Sequence, residues 1–262
     1  MKQFSSSLHP ARGSCSGHVP VLVVREFHVC RSSSDRNKGF SSQENSNTIE
    51  SNVEKVSNPS QQATREDILA ACVSTSGILG LAGLAVHAAS PFISPAAQED
   101  IFQRMYENSL IGHIGIAECA AMLATAGAVT GFRVLLLQNW PEFKQATDVS
   151  NTQILVPIKN NGGDIAVVAG VPAIAEELLF RWALLPAVYP DWRGAVISGL
   201  VFGVLHTNGG RNSAFAAWAS CVGCAYGFLY LYSGSAAVAA GAHALANLLS
   251  ATLWLRDYES NE

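Results

Sequence analysis

The chain has 262 residues, of which 49% are hydrophobic and 14% charged, with a formal net charge of −4. Soluble proteins carry about 25% charged residues, so this composition reads as a membrane protein. The small net charge, with no basic stripe interleaved with aromatics, excludes a nucleic-acid-binding class.

Residues 1–60 differ from the rest: they are rich in Ser, carry Arg12, Arg25, Arg31, Arg36 and Lys38, and hold no acidic residue before Glu26. The apolar core of a secretory signal is missing, since only the short Val19–Val24 run approaches one. This composition predicts an organelle transit peptide, chloroplast rather than mitochondrial, followed by a disordered polar linker across 41–62. The six cysteines do not make a disulfide framework. Cys15 and Cys30 fall in the segment expected to be removed, Cys72 and Cys119 sit singly in apolar runs, and Cys221 and Cys224 have no second pair or flanking charge. They read as small packing residues.

About 20 apolar residues cross the ~30 Å hydrocarbon layer, and spans are predicted near 68–89, 110–137, 165–189, 193–208, 213–232 and 235–255. The expected fold is all-α, a polytopic transmembrane helical bundle of about six spans. Turn-forming stretches at Ser90–Pro95, Asn139–Glu142, Tyr189–Trp192 and Asn208–Arg211 separate these segments, and Trp140, Trp192 and Trp254 stand where interfacial tryptophans belong. The fourth span is short, which suits a helix sunk in the bundle beside a water-filled cavity. Three pairs of glycines at GxxxG spacing, Gly127/Gly131, Gly199/Gly203 and Gly223/Gly227, mark close helix contacts, and the second pair shares a face with His206. Among polar residues inside the spans, Arg133 is expected to snorkel to a helix end and His87 and His113 to lie near water. Glu118, near mid-span with no local partner, is a candidate support for a site.

The most informative stretch is Ala173-Ile-Ala-Glu-Glu-Leu-Leu-Phe-Arg-Trp-Ala-Leu-Leu-Pro186. An ionised side chain near the bilayer centre costs roughly 2.5–3.5 kcal/mol, so three of them in one span imply a functional site. At about 100° per residue, Glu177 and Arg181 share a stripe and can pair, whereas Glu176 points about 100° away and needs partners from other helices. Phe202-Gly-Val-Leu-His206 and His243-Ala-Leu-Ala-Asn247 supply them, the latter with both polar residues on one face.

Three such motifs in this order, inside apolar segments, resemble the intramembrane CAAX prenyl protease and bacteriocin-processing family (CPBP, or Abi). The resemblance covers roughly 163–255 and divides the chain into 1–60, a targeting segment and linker; 61–160, N-terminal membrane helices; and 161–256, a catalytic core. It implies an intramembrane endopeptidase in a multi-pass plastid membrane protein, envelope or thylakoid, acting on a membrane protein or lipidated peptide.

Amide hydrolysis needs an activated water, a site for the tetrahedral oxyanion and a proton for the leaving amine. Glu176 suits the base and His206 can orient the same water; His243 and Asn247 offer adjacent N–H donors to the oxyanion, while Glu177 and Arg181 clasp the helix. The family resemblance implies the same four catalytic residues. Zinc held by Glu176, His206 and His243 is the main competitor. A metal-free reading is favoured, because no chelating pair lies on one helix and Asn247 is a poor zinc ligand. Covalent catalysis is disfavoured, since Ser198 and Cys221 are the nearest nucleophiles and their register is wrong. The alternative function is a family-derived membrane scaffold that binds and stabilises partner proteins without proteolysis. A transporter is disfavoured by the lack of an inverted repeat.

Overall fold

The computed structural model describes residues 63–207 and 209–261. The expected targeting segment and linker lie outside them. Within them the chain is a bundle of helices: α1 (Arg65–Ile93), α2 (Asp100–Asn108), α3 (Ile116–Asn139), α4 (Pro141–Leu155), α5 (Gly162–Glu177), α6 (Leu185–Val188), α7 (Trp192–Val204), α8 (Ser213–Ser233) and α9 (Ala236–Ser260). No strand occurs among the described residues. The starts are chemically marked. The Thr64 hydroxyl accepts from Asp67 N–H in a capping box, and Asn161, Asp191, Asn212 and Ser235 accept from backbone N–H groups at the heads of α5, α7, α8 and α9.

Four helices, α1, α3, α8 and α9, are long and apolar enough to cross a bilayer. On α1 and α3 apolar residues point outward over much of the helix surface, with Leu81, Phe92, Ile116 and Phe132 largely exposed. Such surfaces are stable only against lipid. The chain is a multi-pass membrane protein. The other two expected spans differ. The segment read as 165–189 is α5 and α6 joined by a π-helical stretch, Leu178–Leu184, and the segment read as 193–208 is the 13-residue α7, about 20 Å long and too short to span.

Two helices were not expected. α2 is amphipathic, and α4 is polar along one side, so neither has a membrane-length apolar run. The second span starts later than predicted, at Ile116 instead of 110. Gly112 turns the chain with φ +62, in close approach to Gly234 O, and the Ser109 and Leu110 carbonyls accept from Ala236 and Ala237 N–H at the head of α9. Glu118 consequently falls in the first turn of α3, where its Oε2 accepts from Gly115 N–H at 2.9 Å, and it does not support a site.

The packing runs through small residues. A Cβ on Gly203 would lie 1.9 Å from Ser220 Oγ and 2.6 Å from Ala216 O, and one on Gly199 would lie 2.6 Å from Cys224 N. Gly223 and Gly227 on α8 face Gly199 and Ala195 in return. The Gly199/Gly203 pair thus seats α7 on α8, and Gly223/Gly227 belongs to the same seam. Gly127 and Gly131 face open space. Cys224 lies in this seam, whereas Cys221 is exposed. Around the seam, Val222, Tyr226 and Leu229 of α8 pack on Val238 and Ala242 of α9, flanked by Met122 and Val129 of α3. A second cluster joins Ile68, Leu155, Ile158, Ile165, Ala251 and Leu255, tying α1, α4, α5 and α9 together.

Candidate active site

The end of α5 and the π-helical stretch carry the first motif. Glu177 and Arg181 are both fully buried, with Arg181 Nη1 donating to Glu177 Oε1 at 2.8 Å. Arg181 Nη2 donates to Gly223 O at 2.6 Å, and the guanidinium lies over the rings of Phe202 and Tyr226 at 5.1 and 5.7 Å. Glu177 also holds His243, whose Nδ1 is 2.9 Å from Glu177 Oε1. A carboxylate accepts, so the Nδ1 proton points at Glu177 and Nε2 faces the other way.

Glu176 sits on that other side. Its Oε2 is 3.7 Å from His243 Nε2 and its Oε1 is 3.9 Å from His206 Nε2. Its side chain is 15% exposed and that of His206 18%, against 6% for His243, so the Glu176–His206 edge is the open one. His206 lies in a 3₁₀ turn past the end of α7, with φ −93 and ψ 20, the bridge region in which many active-site residues are held. Its Nδ1 is 2.7 Å from Phe202 O, which fixes the proton on Nδ1 and leaves Nε2 a lone pair towards Glu176. The Tyr226 ring stacks on His243 at 4.7 Å and Phe202 meets it edge-on at 5.9 Å, so that imidazole cannot rotate freely.

Of the four expected catalytic residues, Glu176, His206 and His243 converge. Asn247 stands one turn along α9 from His243, and its Nδ2 donates to Ala169 O at 3.3 Å. Pro172 interrupts the ladder of α5 nearby, just before the two glutamates. Among the described residues, no three His, Cys, Asp or Glu side chains are grouped closely enough to hold a metal ion.

Residues 161–249 match the family model described as type II CAAX prenyl endopeptidase Rce1-like. This stretch is similar to an Rce1-like domain. The domain contains all three polar motifs and both irregular stretches, π-helical and 3₁₀, that flank them. No curated protein and no solved structure matches the chain.

Two arginines stand where the sequence did not place them. Arg211, between α7 and α8, donates from Nε to Ser150 Oγ at 3.2 Å and lies over the Phe215 ring at 4.8 Å. It is within electrostatic range of Glu176 and His206. Arg133, expected to snorkel outward, is half-buried within range of Arg211 and Tyr226. His87 is likewise held inside, stacked between Tyr106 and Trp182 at 4.3 and 3.7 Å.

Proposed function

We propose that this chain is an intramembrane endopeptidase that hydrolyses a peptide bond of a membrane-associated protein or lipidated peptide with a Glu176-activated water. The observation that carries this reading is Glu176 standing 3.7 and 3.9 Å from two imidazole nitrogens. Those separations are too long for direct hydrogen bonds and fit one shared water. A water there gives one hydrogen to Glu176 Oε1 and the other to the Nε2 lone pair of His206.

The steps then balance on this chain's own residues. Glu176 takes a proton as the water oxygen bonds to the scissile carbonyl carbon, and the carbonyl oxygen becomes an oxyanion. Asn247 carries a second amide hydrogen beyond the one on Ala169, and His243, entering the cycle with both ring nitrogens protonated, a state that Glu177 stabilises from behind, donates from Nε2 and keeps its proton throughout. Both can face the oxyanion. On collapse the C–N bond breaks and Glu176 returns its proton to the leaving amine. Glu177 and Arg181 fix the helix that carries Glu176.

In this reading no metal takes part. Zinc would have to be held by Glu176, His206 and His243, which are not grouped as a metal-holding set among the described residues; bound there it would supply Lewis-acid polarisation. The Ser- and Arg-rich start of the chain supports a plastid membrane as the location.

Detergent-purified protein on a panel of membrane peptides, beside Glu176→Gln, tests the reading. Glu176→Gln should lower turnover at least about 10²–10³-fold, the usual cost of losing a group that acts at the transition state, and a chelator should leave wild-type turnover unchanged. Cleavage that survives Glu176→Gln would refute the assignment. Stoichiometric zinc, with activity lost on stripping and regained on its return, would overturn the metal-free mechanism. No cleavage of any peptide would favour the scaffold.

A further inference from the structure

One face of the membrane receives an end of every long span: α1 stops at Ile93, α3 begins at Ile116, α8 stops at Ser233 and α9 begins at Ala236. The connection between α1 and α3 is tied to that face. Ser109 O accepts from Ala236 N–H at 2.8 Å, and the Ser109 hydroxyl accepts from Tyr230 at 2.7 Å. Around α2, which lies in this connection, Phe92, Ile93, Ile111 and Ile116 are largely exposed. Large apolar groups at span ends are stable where the acyl chains begin, which places amphipathic α2 at the level of the headgroups.

Between α2 and the turn from α8 to α9 lies a cavity of about 300 Å³, at the small end of ligand sites, which run to roughly 1,000 Å³. Ile101, Arg104 and Asn108 line it from α2, His113 from the loop that follows, and Ser233 and Gly234 from the turn. Among the described residues no acidic side chain lines it. The helix sorts the charges. Positions 101, 104, 105 and 108 fall on one stripe at i, i+3, i+4 and i+7, whereas Asp100, Gln103 and Glu107 are exposed on the next stripe round. Arg104 is thus set beside Ile101 and Met105, and it has no hydrogen bond or ion pair among the described residues. His113 is a lesser donor. A Cβ on Gly115 would lie 3.0 Å from both His113 Nε2 and Glu118 Oε2, so that imidazole already has a carboxylate at hand.

We propose that this cavity seats the phosphate of a bilayer phospholipid on Arg104. A guanidinium meets phosphate oxygens two at a time, the Asn108 amide adds a neutral donor, and phosphodiesters are the anions that a bilayer supplies at this depth. A soluble anion would leave Ile101 and Met105 against water, whereas a lipid covers them. The seat shares no residue with the candidate active site and does not depend on the peptidase reading. Its occupancy reaches that site through packing. Tyr106, on the far side of α2, stacks on His87 at 4.3 Å, and His87 stacks at 3.7 Å on Trp182, the neighbour of Arg181 in sequence. A lipid that holds α2 in place therefore steadies the π-helical stretch.

The test titrates full-length protein in a neutral detergent with two lipids of identical chains, phosphatidylglycerol and an uncharged diglucosyl diacylglycerol, and counts bound lipid by native mass spectrometry. Phosphatidylglycerol should bind about 10- to 100-fold more tightly, as expected for charge-assisted hydrogen bonds, and should raise the melting temperature more than the glycolipid does at equal concentration. Arg104→Gln should erase most of that preference, Arg104→Lys should keep part of it, and Asn108→Ala should weaken phosphatidylglycerol about 2- to 10-fold. Arg256→Gln removes the same charge near the other end of α9 and should leave the preference within about twofold, being far beyond the screening length. Inorganic phosphate and the chainless headgroup should compete only at concentrations at least about 100-fold above the lipid's, for want of apolar contact. Equal affinity for the two lipids overturns the proposal, as does a preference that survives Arg104→Gln. A preference lost equally in Arg256→Gln reduces the effect to diffuse charge and overturns the seat, and inorganic phosphate competing as well as the lipid overturns the lipid as occupant. Arg104 is exposed, so its variants should melt within about 1–2 °C of wild type without lipid.

Discussion

Exchanging one glutamate for glutamine should have opposite consequences at two adjacent positions. Glu177 is fully buried and bonds both Arg181 Nη1 and His243 Nδ1 through a single oxygen, Oε1. Glu177→Gln keeps the shape and an accepting oxygen but removes the charge that offsets a fully buried guanidinium, whose other hydrogen-bond partner is the neutral Gly223 carbonyl. Breaking a buried pair from one side costs about 3–5 kcal/mol, and at 2–4 °C per kcal/mol for a body of this size the melting point should fall by about 6–20 °C. Among the described residues Glu176 makes no hydrogen bond, its histidines standing at 3.7 and 3.9 Å, so Glu176→Gln should cost under about 1 kcal/mol. Thermal unfolding in one detergent, followed by far-UV circular dichroism, compares the two variants with wild type. Glu177→Gln with Arg181→Met should regain much of the loss, because it removes the orphaned charge as well. A Glu177→Gln melting point no lower than that of Glu176→Gln would refute the burial argument.

Adding a methyl at Gly203 should force α7 and α8 apart and cost about 1–3 kcal/mol, whereas Gly127→Ala, facing open space, should stabilise by about 0.5–1 kcal/mol; paired melts decide. At the head of α7, hydrogen bonds from Arg193 hold the Asp191 carboxyl below the usual carboxylate range. A lowered folded-state value stabilises above the unfolded pKa, near 4, and that contribution is lost as pH falls through the folded value. Asp191→Asn keeps a capping side chain without the charge, so its melting point should decline less than wild type between about pH 5 and pH 3.

What the sequence made legible follows from period and hydropathy. The long apolar runs of α1, α8 and α9 announced themselves, and the 3.6-residue repeat separated the Glu177 face from the Glu176 face. The start of α3 did not, because Leu110 to Ile116 continues the apolar run and only tertiary contacts at Gly112 and Leu110 end it. α2 and α4 are short and polar, and a search for membrane-length runs passes over them. The glycines of α7 were legible as a contact, but their partner was not: spacing alone does not say that α8 is the neighbour. The π-helical and 3₁₀ stretches have no composition of their own. Arg211 sits in a loop and Asn247 bonds a distant carbonyl, so neither relation is encoded locally.

A π-helical stretch is rare and occurs mostly as a single irregular turn within an α-helix. Here α1 leans directly on it: a Cβ on Gly83 would lie 3.1 Å from the Leu178 carbonyl and from Leu179 N, main chain against main chain. The helix that bears the paired glutamates is therefore braced by a span lying well before the matched domain, and that brace contributes no functional group at all. The matched stretch is not a portable unit. Severed before residue 161, it would lose the backbone wall on which its least regular turn rests, and the two carboxylates just ahead of that turn would lose their aim.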